Sequence, residues 1–259
     1  MGQKTQVALL FVALAGCAPP GVQRPPPSVE AIRAELGDVE VQVVADLFFV
    51  AGDGGKDELR RCAATVERMS KFLWADFFEK RPAVPVRIYC LRDARSYEEY
   101  VTRTYGRPPS TPYGFYMHRE RTAVMNIATG TGTLAHVLVY PMLEADLPAA
   151  PEWFRAGFAA LYEESNQTVD GAMEGHVNWR LRGLKEAMAQ GRAPSIATVL
   201  SSREPDAAAA RYLCLWFQDR GLLRELYRAL RNGATVQSVA RMDLDELDRR
   251  WREWVRPLK

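Results

Sequence analysis

The sequence lacks a basic excess, a paired-cysteine motif and a membrane-length apolar run. Lys and Arg number 34 against 32 Asp and Glu in 259 residues, whereas a nucleic-acid-binding domain usually carries a clear basic excess. The cysteines, Cys17, Cys62, Cys90 and Cys214, have neither the spacing of a zinc ribbon nor that of a redox dithiol. With 47% hydrophobic and 25% charged residues, the composition is that of an ordinary folded domain. We expect no nucleic-acid partner.

The N-terminal 17 residues carry an export pattern. Lys4 precedes an apolar run over 7–16, which is too short to cross a bilayer, because a spanning helix needs about 20 residues. The run ends in Leu14-Ala15-Gly16-Cys17, which resembles the lipobox of bacterial lipoproteins. The resemblance implies cleavage before Cys17, acylation of its sulfur and anchoring in the cell envelope. The alternative is an ordinary signal peptide whose cleavage site happens to contain a cysteine.

The segment after Cys17 is rich in proline, with five prolines between Pro19 and Pro27, and this favours an extended tether. Ala18 resembles the residue that follows the cysteine in lipoproteins of the outer membrane, facing the periplasm or the cell surface. We therefore predict a signal peptide over 1–16, a lipidated tether over 17–37 and a folded domain over 38–259. In an oxidising compartment, Cys62 and Cys90 either form a disulfide or lie buried as thiols, whereas Cys214 packs as a small apolar residue.

Hydrophobic periodicity predicts an α+β fold. A small mixed sheet with helices precedes a mostly helical C-terminal half. The predicted elements are a strand over 39–50, an amphipathic helix over 57–80, a strand over 84–91, a short helix from Ser96, a hairpin of 113–117 with 122–127, and helices from Thr133 to the end.

Two later segments suggest a functional class. The first reads Thr133-Leu134-Ala135-His136-Val137-Leu138-Val139-Tyr140, and the second reads Pro151-Glu152-Trp153-Phe154-Arg155-Ala156-Gly157-Phe158-Ala159. Together they resemble the active-site helices of gluzincin-type metallopeptidases, in particular bacterial peptidase-MA-like domains. In that family the first helix carries L-x-H-E-x-x-H, in which two histidines on one helix face bind zinc and the glutamate activates water. The second helix supplies a third ligand within P-x-W-[LF]-x-E-G-[LF]-A.

The two segments keep the surrounding residue pattern of the family but lack most of its zinc-binding and catalytic residues. His136 matches the first ligand, but Val137 stands in place of the general base, Tyr140 in place of the second histidine and Ala156 in place of the ligand glutamate. Zinc sites need three or four protein ligands, and loss of a general base alone costs about 10²–10⁴-fold in rate. The sequence therefore predicts a catalytically inactive domain without zinc or any other cofactor.

The resemblance also implies where a ligand binds. An inactive relative keeps a groove beside the hairpin, and we predict that 122–127 is the edge strand to which an extended peptide or envelope protein adds. The alternative is a hydrolase that acts through other residues, such as Glu163 or Glu164. A further alternative is that the His136 helix is an amphipathic helix with no peptidase relationship.

The lost site is predicted to be filled by side chains. We expect the Tyr140 ring to lie against Trp153 or Phe158, with its hydroxyl directed toward His136. The other histidines, His118 and His176, are expected to be exposed. Glu144 lies about 12 Å from His136 along the same helix, so neither it nor these histidines predicts a shared metal site.

Overall fold

The computed structural model describes residues 26–168 and 172–259. Within them it contains eleven α-helices, a mixed five-stranded sheet and a separate two-stranded sheet. The α+β prediction is thereby confirmed. No helix in these two ranges has both the length and the apolar character needed to span a bilayer. Cys17 and the predicted signal peptide lie outside the described residues.

The five-stranded sheet has the order β1-β2-β3-β5-β4. Its strands are β1 (Val41–Val44), β2 (Phe48–Gly52), β3 (Val86–Leu91), β4 (Gly114–Met117) and β5 (Thr122–Asn126). The three inner strands run parallel, and each outer strand is antiparallel to its neighbour. All six residues of β3 are buried, as expected for a parallel strand covered on both faces.

Two predictions about this sheet are wrong. The segment 39–50 forms two antiparallel strands, because the chain reverses at Ala45 and Asp46, whose φ angles are 53° and 54°. The hairpin of 113–117 with 122–127 is present, but its second strand, β5, lies between β3 and β4. The edge of the sheet at this end is therefore β4 and not the predicted strand 122–127.

Helices cover both faces of the sheet. Helix α1 (Val29–Leu36) and helix α3 (Ala94–Tyr105) pack on one face, where Ile32 is buried, and helix α2 (Lys56–Asp76) packs on the other. Ser28 caps α1 by accepting from the Ala31 N–H, which is a standard way to satisfy a helix start. Helix α1 thus lies within residues 17–37, for which the sequence predicted a tether.

The C-terminal half is helical, as predicted, with one interruption. After α5 the chain forms an antiparallel pair of short strands, β6 and β7, before the last six helices. The elements are α4 (Gly132–Asp146), α5 (Glu152–Leu161), β6 (Ser165–Gln167), β7 (Met173–Gly175), α6 (Arg180–Ala189), α7 (Ile196–Ser201), α8 (Ala207–Asp219), α9 (Leu223–Arg231), α10 (Val236–Ala240) and α11 (Leu244–Val255).

Helices α5 and α8 form the closest helix pair in this half. A Cβ atom on Gly157 would lie 2.4 Å from the Ala210 carbonyl oxygen, so only glycine allows the two backbones to approach this closely. Cys214 is buried at the same contact, while Cys62 and Cys90 are buried as free thiols in the core between α2 and the sheet. For Cys62 and Cys90 the structure thus corresponds to the buried-thiol alternative.

Candidate functional site: a buried His136–Glu163–Arg180 cluster

His136 is buried in the middle of α4, and both of its ring nitrogens meet side chains. Tyr140, one turn further along, places its hydroxyl 3.3 Å from Nε2. On the other side of the ring, Nδ1 lies 2.9 Å from Glu163 Oε1. The predicted direction of the Tyr140 hydroxyl is confirmed. Glu163 follows α5, and the fold brings it to His136 across 27 residues of sequence.

The contacts of His136 limit the hydrogen-bond roles of its ring. Burial raises the pKa of Tyr140, and the negative charges of Glu163 and Glu152 raise it further, so the hydroxyl keeps its proton and can donate to Nε2 or accept from it. A carboxylate only accepts, so the 2.9 Å contact to Glu163 places a proton on Nδ1.

Glu163 is held by more than His136. Arg180, at the start of α6, donates from Nε to Oε2 at 3.1 Å and from Nη2 to Oε1 at 2.9 Å. Asn178 Nδ2 lies 3.4 Å from Oε2. The carboxylate is only 3% exposed, and the paired arginine contacts are the bidentate geometry in which guanidinium binds carboxylate most strongly. The cluster ties α4, the end of α5 and the start of α6 together.

The charge state of Glu163 follows from this environment. Burial alone would raise its pKa, but the hydrogen bond and charge of His136, together with those of Arg180, outweigh burial and lower the pKa to about 2. Glu163 is thus ionised at any physiological pH. An ionised carboxylate with every oxygen engaged is suited to positioning neighbours and poorly suited to exchanging protons during a reaction.

A second buried cation supports the end of α5. Arg211 of α8 donates from Nε to the Ala160 carbonyl at 2.9 Å and from Nη2 to the Leu161 carbonyl at 3.3 Å. It also contacts the His176 carbonyl. These carbonyls belong to the C-terminal turn of α5 and the segment after β7, where backbone acceptors are otherwise left open. Arg211 therefore fixes the turn from which Glu163 projects.

The residues at this site do not fit zinc. His136 Nε2 is already occupied by Tyr140, while Val137 and Ala156 offer no donor atom. Across 26–168 and 172–259, no group of three or more His, Cys, Asp or Glu residues is arranged to hold a metal ion. Since zinc takes three or four protein ligands, the donor set is too small.

The Tyr140 ring does not lie where the sequence predicted. It stacks on Tyr116 of β4 with ring centroids 6.2 Å apart, and its other ring neighbours are His118 and His136. No ring contact to Trp153 or Phe158 is present among the described residues. The prediction is wrong because the hairpin, which approaches α4, provides the nearer aromatic surface.

A smaller polar cluster joins the hairpin to α4. Glu144 accepts a hydrogen bond from the Tyr116 hydroxyl at 3.2 Å and contacts His118 Nδ1. His118 is half exposed. Its contact with the Glu144 carboxylate was not predicted from the sequence. His176 is exposed. Neither histidine approaches His136 closely enough to complete a metal site among the described residues.

Strand β4 is the edge strand beside α4. The Asn126 N–H donates to the Tyr113 carbonyl, so by the antiparallel pattern residues 113, 115 and 117 bond to β5. The N–H and C=O groups of Gly114 and Tyr116 consequently point away from β5, and both residues are buried. Tyr113, directly before β4, also lines a cavity of about 730 Å³ beside the start of α4.

Compared with protein-family models and with curated protein sequences, the chain matches none. The likeness to gluzincins stays a prediction from the sequence pattern around His136 and Ala156.

Proposed function

We propose that the chain is a lipid-anchored envelope protein whose gluzincin-like domain has no zinc centre and binds extended peptide segments. The observation that supports the loss of metal chemistry is the occupation of both His136 nitrogens, by Tyr140 and Glu163. Zinc binding at His136 would require Tyr140 to leave, and Val137 would still supply no base.

The edge strand β4 supports a peptide-binding role. Gly114 and Tyr116 direct two N–H and two C=O groups away from β5. Both residues are buried, so the groups that cover them must move aside before an added strand can pair with them in the manner of β-augmentation. Four such bonds contribute about 2–6 kcal/mol at ~0.5–1.5 kcal/mol each, against an association cost of about 4–15 kcal/mol. Backbone pairing alone therefore gives weak binding, and a peptide must also contact side chains beside the strand.

A proline substitution tests the edge directly. Gly114 is unsuitable, because a Cβ there would lie 2.7 Å from Met125 Cβ. Tyr116→Pro removes an outward N–H, whereas Tyr116→Ala removes the same ring and keeps that N–H. Peptides selected from a random phage-displayed library on the parent chain are expected to bind the proline variant about tenfold more weakly than the alanine variant. Equal affinities for the two variants would place the peptide elsewhere.

Metal content separates this proposal from the hydrolase alternative. We expect no stoichiometric zinc in the purified chain and no chelator-sensitive hydrolysis of casein. Glu163 gives the alternative little support, because the carboxylate is buried and bound by Arg180 and His136. Stoichiometric zinc, or hydrolysis that Glu163→Gln or Glu164→Gln abolishes, would replace the binding role with an enzymatic one.

A further inference from the structure

The cavity of about 730 Å³ is lined mainly by polar side chains. Its walls come from α2, from the loop that precedes α4 and from the segment after α5 that continues into β6. The volume lies within the range of about 300–1,000 Å³ typical of small-molecule sites. Most such sites are largely apolar, so the polar lining of this one indicates a ligand rich in hydrogen-bonding groups.

Four polar side chains in the cavity are open to a ligand. Arg68, Thr131, Glu164 and Asn166 line it, and within the described part of the chain their side chains make no hydrogen bond or ion pair. They supply a guanidinium, a hydroxyl, a carboxylate and a carboxamide. Such a set both donates and accepts hydrogen bonds, which suits vicinal hydroxyl groups that also do both.

The charges in the cavity balance. Arg68 is matched by Glu164, and the buried Glu163 is neutralised by Arg180. A phosphate-bearing ligand requires a positive excess, and Glu164 would repel it. The balance therefore favours a neutral ligand.

The rim of the cavity carries an exposed indole. Trp179 is 54% exposed, and Val43, on the distant β1 edge, is the other large hydrophobic side chain of the described residues that is comparably open. The Arg180 guanidinium lies 5.3 Å from the Trp179 ring centroid, and α6 starts directly after Trp179, so the indole is anchored at the mouth of the cavity. A flat, amphipathic ring beside polar groups is a stacking surface for a ligand with an apolar face and hydroxyl edges.

From the volume, the balanced polar lining and the exposed indole together, we infer that this cavity binds a short neutral oligosaccharide, with one sugar ring stacked on Trp179 and the next within reach of Arg68, Glu164 and Asn166. Tyr113 of the cavity directly precedes β4, but no residue of β4 itself lines the described cavity, and the inference does not depend on peptide binding.

Titration of the full chain with sugars tests the inference. The probes are maltotriose and the β-1,4-linked trimer of N-acetylglucosamine, with ADP as the comparator. Binding is measured by calorimetry and by tryptophan fluorescence, which should shift to the blue as Trp179 is covered. At least one of the two sugars is expected to bind with a Kd of about 1 mM or tighter, whereas ADP is not.

Variants of Trp179 test whether the sugar binds in the cavity. Trp179→Ala is expected to weaken sugar binding at least tenfold and to abolish the fluorescence shift, while Trp179→Phe retains part of the affinity. Val43→Ala is the matched control, since it alters the other exposed hydrophobic residue outside the cavity. Circular dichroism verifies that each variant is folded. Binding of ADP in preference to both sugars, no sugar binding at all, or equal affinity in Trp179→Ala would each overturn the inference.

Discussion

Replacing Glu163 with glutamine is expected to lower the free energy of unfolding by about 3–5 kcal/mol near neutral pH. The substitution keeps the shape of the side chain but leaves Arg180 buried without its carboxylate, and breaking a buried ion pair from one side costs about this much. Glutamine also keeps only one accepting oxygen, so the contacts to either Oε1 or Oε2 lose their acceptor. The midpoint of unfolding should move to a lower urea concentration, while the dependence of the unfolding free energy on urea concentration stays unchanged.

The same substitution has a pH signature. The pKa of Glu163 lies at about 2 instead of 4.5, so the folded state holds the ionised form more strongly than the unfolded chain does. At 1.36 kcal/mol for each pH unit, this contributes about 3 kcal/mol. Because the folded-state pKa is depressed, the contribution is fully present above pH 4.5 and is lost as the pH falls toward 2. The stability gap between the parent and Glu163→Gln should therefore narrow over that interval.

Glu164→Gln is the matched control. Glu164 is the next residue, is exposed and has no ion pair within the described residues, so its substitution should change the free energy of unfolding by less than about 0.5 kcal/mol. Urea titrations of the three proteins between neutral pH and pH 3 measure both effects. If the two variants unfold at the same urea concentration, or if the gap for Glu163→Gln is independent of pH, the buried cluster does not hold the fold as described.

Two further predictions concern the proposed lipid anchor and the proposed likeness to gluzincins. Cys17→Ser should abolish acylation and leave an unprocessed or released protein, which a carbonate wash of membranes would detect; full membrane retention of this variant would refute the lipobox. Combining Val137→Glu, Tyr140→His and Ala156→Glu should create measurable zinc binding that the parent and Val137→Glu alone lack, with little proteolysis because the groups that orient ligands differ. A folded triple variant that takes up no zinc would remove the gluzincin likeness.

Periodicity in the sequence predicted most elements because local burial determines them. The strand over 84–91 and the hairpin of 113–117 with 122–127 alternate or run apolar, and the structure places strands within both. The β1–β2 reversal was missed because neither of its two turn residues, Ala45 and Asp46, is a glycine or a proline, although both adopt positive φ. The order of the strands could not be predicted from the sequence pattern either. β5 lies inside the sheet because of two parallel crossover connections, which no local signal indicates.

The candidate site was only partly accessible from sequence. His136 and its tyrosine neighbour are four residues apart on one helix, so their contact followed from helical spacing. Glu163 was named only, together with Glu164, as a residue through which an alternative hydrolase could act, and Arg180 was not named at all, because residues 136, 163 and 180 meet through tertiary packing alone. Arg211 offered a usable signal: it is a lone charge within the apolar run 207–217, and such a residue is buried only when its donors are satisfied.

If the domain has no zinc, as proposed, the buried cluster supplies the link between helices that a metal would otherwise provide. A metal that joins two helices stabilises them by crosslinking, and removing its ligands leaves the helices to be joined by other means. In this chain Glu163 connects the helices, because its carboxylate contacts His136 of α4 and, through both oxygens, Arg180 of α6. Such a pair fixes the geometry of its neighbours while its net stabilisation stays small, because desolvation offsets much of the attraction.

The cluster is therefore best understood as fixing how α4, α5 and α6 are arranged. This arrangement also sets the position of Trp179 directly before α6 and of Glu164 directly after Glu163. The walls of the cavity thus depend on the same carboxylate that occupies His136.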